Sequence, residues 1–327
     1  MVRAQTRVPD QEKLNVAILV FDGVQIIDYT GPYEVLGSWS RRKVFTVAEK
    51  PDAITTNMGM KVVPNYSFEN APKIDVLVLP GGGNIELTGR GVGPQLGNER
   101  VIKWVQENAK SAKYVMSVCN GAFFLARAGL LEGLPATTTS GFIPRLKEFA
   151  PTVIPVYDKR FVDNGKIMTT AGLSSGIDGA LHMIEKLDGP GWAKYIALSI
   201  EYDWRPDSGY ARADLADTKI PDSIYDPFLS FSQPFDSGGN KNSWEDKWLV
   251  KTPASPESIL AEVNKKWAAE PGWTNLKTGK RESSWKLTDR EGKVWNARVS
   301  IDPATAPNGN LIVSVKIVNE SLKKTAE

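Results

Sequence analysis

Leu14-Asn-Val-Ala-Ile-Leu-Val-Phe21 is a run of apolar, largely branched residues closed by Asp22-Gly23. A strand with one wet face would alternate polar and apolar side chains, so an almost unbroken apolar run reads as a parallel strand covered on both faces. Asp75-Val-Leu-Val-Leu-Pro80 and Tyr114-Val-Met-Ser-Val118 share that character. Between them, Glu99 to Lys110 places Val101, Ile102 and Val105 at helical spacing, and strand, helix, strand implies a right-handed crossover. Shorter strands fit Phe45–Ala48, Lys61–Val63 and Val153–Tyr157. Asp163-Asn164-Gly165 reads as a hairpin turn between Arg160–Val162 and Lys166–Thr169. Helices are expected at Ser174–Leu187 and Trp192–Tyr202, after which Pro206-Asp-Ser-Gly209 breaks the pattern. The reading is an α/β domain over residues 14–215 with a mostly parallel sheet and an antiparallel addition.

Outward from that domain the signals weaken. Residues 1–13 are polar and are expected to be a disordered tail. Residues 216–250 are rich in Pro, Ser, Asp, Gly and aromatics with little periodicity, which suggests an extended linker or arm. A second unit over 251–327 opens at Ser255-Pro256-Glu257, where Ser can cap a helix, Pro suits its first turn and Glu favours its dipole. Ile259, Leu260, Val263 and Trp267 would give that helix one apolar face. Three alternating runs follow, at Trp285/Leu287, Trp295/Ala297/Val299/Ile301 and Leu311/Val313/Val315/Ile317, as in a small α+β unit. Six of the ten tryptophans fall between Trp244 and Trp295, which favours ordinary core over a binding surface.

Composition narrows the function classes. In 327 residues, 40 Lys plus Arg nearly cancel 38 Asp plus Glu, and no basic cluster or recognition helix suggests a nucleic-acid partner. No stretch is apolar and long enough to predict a membrane span. One cysteine and one histidine exclude an intrachain disulfide, a multi-cysteine cluster and a polyhistidine metal centre. A cytoplasmic protein is expected. A periplasmic or secreted one is the alternative, because Val2-Arg3-Ala4 before Gln5 has the small-residue pattern left by removal of an upstream signal segment.

The chemistry concentrates at strand ends. Cys119 follows a buried strand and precedes Asn120-Gly121-Ala-Phe-Phe-Leu-Ala, so its thiol would sit on a sharp strand-to-helix turn of the nucleophile-elbow kind. A helix amino terminus there would lower the thiol pKa. Pro80-Gly81-Gly82-Gly83 follows another parallel strand, where open α/β sheets bind ligands, and its glycines would let backbone N–H groups approach a reacting atom. The pattern Gly-x-Gly-x-x-Gly fails because Glu86 stands where its last glycine should be, which argues against a dinucleotide. Asp28 and Glu34, after the first strand, are the acids placed to face the same crevice.

Asp22-Gly-Val-Gln-Ile-Ile-Asp28-Tyr-Thr-Gly-Pro-Tyr-Glu34-Val-Leu, Leu77-Val-Leu-Pro-Gly-Gly-Gly83, Val118-Cys119-Asn-Gly-Ala and Thr170-Ala-Gly-Leu-Ser-Ser-Gly-Ile-Asp178 together resemble the ThiJ/PfpI superfamily. The likeness is best to its isonitrile hydratase-like members and covers roughly residues 14–205. It implies a flavodoxin-like three-layer α/β/α sandwich, commonly a homodimer, with Cys119 as nucleophile and Asp28 as its acidic partner. Gly82, Gly83 and Asn120 would orient the substrate. Glu34 would be a structural or dimer-interface acid, and Thr139 and Asp178 are further supporting candidates. Relatives often carry a His-Trp pair after an Ala-Thr-Thr strand, but this chain reads Ala136-Thr137-Thr138-Thr139-Ser140-Gly141. His182 lies inside a helix and reads as a packed or half-exposed helix residue.

A thiol and a carboxyl without histidine can hydrate an isonitrile. The Cys119 thiolate would attack the terminal carbon of R–N≡C while protonated Asp28 donates a proton, and water would then release an N-substituted formamide. This small-molecule reaction needs no metal and no organic cofactor. The alternatives are cysteine-dependent hydration or deglycation of a small carbonyl compound, and a non-catalytic redox or ligand sensor built on Cys119.

Overall fold

The computed structural model describes residues 13–38, 41–208, 210–289, 292–302 and 310–320, and the chain divides into two compact units between Ala213 and Asp214. Of the tail expected at residues 1–13, all but Lys13 lies outside the described residues.

The first unit runs β1 (Leu14–Leu19), α1 (Ile26–Gly37), β2 (Arg42–Ala48), β3 (Ile54–Thr55), β4 (Lys61–Val62), β5 (Tyr66–Ser67) and β6 (Val76–Leu79). Next come α2 (Val92–Leu96), α3 (Glu99–Ser111), β7 (Tyr114–Ser117), α4 (Ala122–Arg127), β8 (Pro135–Ala136), α5 (Ile143–Phe149) and β9 (Ile154–Pro155). The hairpin β10 (Phe161–Asn164) and β11 (Ile167–Thr170), then α6 (Ser175–Asp188) and α7 (Pro190–Ser199), complete it.

Seven strands form one sheet in the order β10-β11-β7-β6-β1-β2-β5, parallel except for the β10–β11 hairpin. Val16 to Leu19, Val76 to Leu79 and Val115 to Ser117 are all buried, as both-faced coverage demands. Helices α1, α6 and α7 pack together, as do α3, α4 and α5, giving the two outer layers of an α/β/α sandwich. The strands expected at 61–63 and 153–157 lie outside this sheet. They shorten to β4 and β9, which pair with β3 and β8 in separate ribbons. Val153 is buried, but Val63 at 70% and Ile154 at 54% are exposed, and a central strand covered on both faces would leave neither in water.

Chain order also locates the site. From β1 the chain builds outward to β2 and β5, then returns to add β6 on the opposite side of β1. Open α/β sheets leave a crevice at the carboxyl ends of the strands flanking such a reversal. Asp28 follows β1, Gly81 follows β6 and Cys119 follows β7.

The second unit is a six-stranded antiparallel sheet with one long helix. Its strands are β12 (Ser232–Gly239), β13 (Ser243–Val250), β14 (Trp273–Thr278), β15 (Glu282–Thr288), β16 (Val294–Asp302) and β17 (Leu311–Asn319), with α8 (Pro256–Ala268) between β13 and β14. The order is β12-β13-β17-β16-β15-β14. Ser255 caps α8, its Oγ accepting the Ser258 N–H at 3.2 Å. Trp267 of α8 stacks on Trp285 at 5.4 Å over Val299, Val313 and Val315, so these tryptophans are core.

The segment 216–250 is not an extended linker or arm. Ala216, Ile220, Ile224 and Phe228 enter the core of this unit on short 3₁₀ turns, and β12 and β13 extend its sheet. Both outermost strands carry a register shift, at Pro234/Asp236 in β12 and at Asn275/Lys277 in β14. No helix among the described residues is long and apolar enough to cross a membrane.

Candidate active site

Cys119 sits in the left-handed region with φ of 57°, which for a residue with a Cβ costs roughly 1–2 kcal/mol and must be held in place by its surroundings. Three bonds hold it. The Cys119 N–H donates to Ala171 O at 2.9 Å, the Val118 N–H donates to Leu79 O at 3.0 Å, and the Thr138 hydroxyl donates to Cys119 O at 2.6 Å. The elbow therefore leans on β6 and on the loop after β11. Its sulfur lies 2.7 Å from Thr139 Oγ1, and the residue as a whole is 9% exposed.

Asp28, in the first turn of α1, is fully buried. Its Oδ2 accepts the Gly81 N–H at 3.1 Å, while Gly81 O accepts the Gln25 N–H at 2.9 Å, so the loop after β6 is tied to the start of α1 on both sides. Oδ1 is shielded from water without a hydrogen bond of normal geometry. Gly81 is required at this crossing. A Cβ there would stand 2.2 Å from Asn120 Oδ1 and 2.9 Å from the Cys119 Cβ.

Burial dominates the electrostatics. It lifts the Asp28 carboxyl from 3.8 to about 7, against the pull of the Gly81 N–H, the Cys119 thiol and the Leu173 N–H. Burial first, and then the negative charge of Asp28, push the Cys119 thiol up to about 12, although the Thr139 hydroxyl and the Asn120 N–H favour the thiolate. The lowering expected from the helix amino terminus is thus outweighed. α4 is a single short helix, and one aligned N–H cannot offset loss of water plus a neighbouring carboxylate. Near neutral pH the thiol keeps its proton while the Asp28 carboxyl is midway through its titration, and above about 7 the one proton the pair retains resides on sulfur.

Asn120 works as a staple. Its Oδ1 accepts the Gly82 N–H at 2.8 Å and its Nδ2 donates to Gly83 O at 3.0 Å. The Gly82 N–H is consequently already committed, and what Gly82 and Gly83 contribute is the shape of the loop. Glu34 is exposed on α1, away from the buried thiol. Asp178 is buried, but its Oδ2 is taken by Arg160 Nε at 2.6 Å and Tyr202 OH at 3.1 Å, so it belongs to an ion-pair cluster and not to the Cys119–Asp28 pair. His182 binds Glu185 at 2.8 Å and Asp163 at 3.0 Å and stacks on Phe161, as a half-exposed helix residue would.

Three contributors escape a reading of the sequence. The Gly81 N–H and the Thr138 hydroxyl act through contacts that only the folded loops create. Leu173 adopts φ of 54°, which brings its N–H toward Asp28, and a leucine gives no sign of such a conformation. The Thr137-Thr138-Thr139 run did carry a signal, since hydroxyls after a strand end are available to bind nearby backbone and sulfur.

With this geometry in view, the family model described as "DJ-1/PfpI family" matches residues 14–186. The chain belongs to the DJ-1/PfpI family. It is 35% identical over 211 residues to an isonitrile hydratase of Pseudomonas putida, a match covering 64% of this chain and 87% of that one. It is 24% identical over 190 residues to the HTH-type transcriptional regulator GbdR of Pseudomonas aeruginosa, covering 56% of this chain and 49% of the regulator. Among solved structures, a ThiJ/PfpI family protein from Pseudomonas syringae superposes with a TM-score of 0.55 at 28% identity, covering 63% of this chain and 85% of that one. The family match ends before the second unit begins, and the sandwich and strand-end cysteine of this DJ-1/PfpI member agree with the resemblance read from its motifs.

Proposed function

We propose that this DJ-1/PfpI protein is an isonitrile hydratase-like enzyme that converts R–N≡C and water into an N-substituted formamide. The observation that carries the reading is the buried Cys119–Asp28 pair, in which a carboxyl that titrates near neutrality lies beside a protonated thiol with no histidine next to it. The similarity to an isonitrile hydratase supports it. A thiol this little exposed also suits a slim, linear head group better than a substituted carbonyl.

In the first step the Asp28 carboxylate takes the thiol proton as sulfur attacks the terminal carbon, and Asp28 passes that proton to the same carbon. The S–H bond breaks, C–S and C–H bonds form, and the product is the thioimidate R–N=CH–S–Cys119. In the second step Asp28 takes a proton from water as its oxygen adds to the thioimidate carbon, and the proton goes on to nitrogen. Collapse of R–NH–CH(OH)–S–Cys119 breaks the C–S bond, returns the hydroxyl proton to sulfur and releases R–NH–CHO. The Asn120 backbone N–H stabilises negative charge developing on sulfur. A redox sensor would want an accessible thiolate, and the raised thiol pKa speaks against it.

The test is formation of a formamide from an aryl isonitrile by wild type, Cys119→Ala and Asp28→Asn. Product from wild type alone is expected. A folded wild type that yields none from several isonitriles removes the proposal.

A further inference from the structure

Residues 171–174, the turn between β11 and α6, meet the active site at three places. The Ala171 carbonyl accepts the Cys119 N–H at 2.9 Å, and Leu173, with φ of 54°, brings its N–H toward Asp28. Between them Gly172 lies so close to Thr139 that a Cβ there would stand 2.8 Å from the hydroxyl that touches the Cys119 sulfur. A leucine does not rest in the left-handed region unaided, so the turn must be held from outside.

Arg160 holds it at both ends. From its place just before β10, its carbonyl accepts the Ala171 N–H at 2.8 Å, where the turn begins. Its guanidinium donates from Nη2 to Ser174 Oγ at 3.0 Å, where the turn ends, and from Nε to Asp178 Oδ2 at 2.6 Å. Ser174 and Asp178 are four residues apart, so they share one face at the start of α6 and suit a single planar guanidinium. Ser174 stands at the N-cap of α6, where a serine ordinarily accepts a helix N–H. Its side chain makes no such bond, and its hydroxyl is given to Arg160. Asp178 is buried, and the Tyr202 hydroxyl, donating to the same Oδ2 at 3.1 Å, fixes the carboxylate that anchors the guanidinium. Only Gly172 and Leu173 lie between the two grips.

We propose that Arg160 is a positioning residue for the active site: it touches neither Cys119 nor Asp28, and acts by clamping Ala171 and Ser174 so that the left-handed Leu173 keeps its N–H toward Asp28. Its service to catalysis rests on the hydratase reading; its effect on the Asp28 carboxyl does not. The groups that favour the Asp28 carboxylate are the Gly81 N–H, the Cys119 thiol and the Leu173 N–H, and of these only Leu173 belongs to the clamped turn. Loosening the clamp should make the carboxylate harder to form while the other two contacts stay in place.

The experiment uses the full chain with carboxyl-¹³C aspartate and follows the Asp28 resonance, identified by its loss in Asp28→Asn, through a pH titration without substrate. Ser174→Ala removes one grip and leaves the Arg160–Asp178 pair intact. Arg160→Lys keeps a cation opposite Asp178 and loses the planar fork, whereas Ser174→Thr keeps the hydroxyl. The expected result is an Asp28 midpoint raised from about 7 to about 8 in Ser174→Ala and in Arg160→Lys, with no change in Ser174→Thr. That is a tenfold gain in proton affinity, the size of one charge-assisted hydrogen bond. The acid limb of kcat/KM should move with the midpoint, which a loss of stability alone would not cause. A wild-type midpoint in folded Ser174→Ala overturns the clamp, even if Arg160→Lys is shifted, because Arg160 would then act through its pair with Asp178 and not through the turn. A shifted midpoint with no formamide from wild type removes the reaction and keeps the clamp. Turnover by wild type with a midpoint unmoved in both variants does the reverse.

Discussion

Replacing Asp28 by Asn separates the chemistry of the pair from its energetic cost. A carboxyl lifted from 3.8 to about 7 by burial destabilises the fold by ~4 kcal/mol once it is ionised in both folded and unfolded chains. Because the folded value is the higher one, the favourable contribution is complete below pH 3.8, declines as pH rises, and is gone above about 7. Asparagine carries no charge, so the stability of Asp28→Asn relative to wild type should climb by ~3 kcal/mol between pH 5 and pH 8 and then level off. Its side-chain oxygen can keep the Gly81 N–H bond. Its amide NH₂, set where Oδ1 now has no normal partner, offsets the gain by ~1 kcal/mol at every pH. For a unit of about 200 residues the pH-dependent part amounts to a melting-temperature gap of roughly 6–12 °C. The assay is calorimetric unfolding of both proteins at several pH values from 5 to 8, with formamide production measured beside it. Activity should drop by roughly 10²–10⁴ even as stability rises. A melting-temperature gap that stays flat across this range would refute the argument, because Asp28 would then not titrate where its burial demands.

The pH dependence of kcat/KM should show an acid limb near pH 7, as Asp28 becomes able to accept the thiol proton, and no alkaline fall below about pH 10; a bell centred below 7 counts against the pair. Thr139→Val removes a hydrogen bond that favours the thiolate, so alkylation of Cys119 by iodoacetamide should need a higher pH than in wild type, and unchanged alkylation would clear Thr139 of that role. Gly81→Ala forces a methyl group against Asn120 and the Cys119 Cβ, and should cost ~2 kcal/mol or more in unfolding free energy together with most of the activity; wild-type melting would show that the loop can yield.

How far the sequence discloses the molecule follows from burial. β1, β6 and β7 are enclosed on both faces, so their residues are continuously apolar and their assignment is direct. Cys119 could be picked out because it ends one of these strands and is followed by a glycine that must meet Leu79 O closely. β12 and β14 were invisible for the opposite reason: they lie at the sheet margins, nearly all their residues are exposed, and no apolar alternation is required of them. β13 does alternate, but Asp246 occupies a position among the tryptophans, tied to Tyr225 and Trp244, and breaks the hydrophobic pattern. At the site, residue types were legible and hydrogen-bond allegiances were not. Nothing local says that Asn120 claims the Gly82 N–H, that Arg160 claims Asp178, or that burial outweighs a helix terminus at the thiol.

The register shifts at the two margins of the second sheet bear on how copies of this protein behave when crowded. A regular outer strand offers evenly spaced backbone donors and acceptors, onto which an unrelated strand can zip. Here Pro234 deletes a donor next to the shift in β12, and the shift in β14 sits beside Lys277, whose charge would meet its own kind in a like-to-like encounter. Both margins therefore mismatch any straight ladder brought against them. At high concentration this unit should resist fibril-like stacking, despite an antiparallel sheet with two open sides.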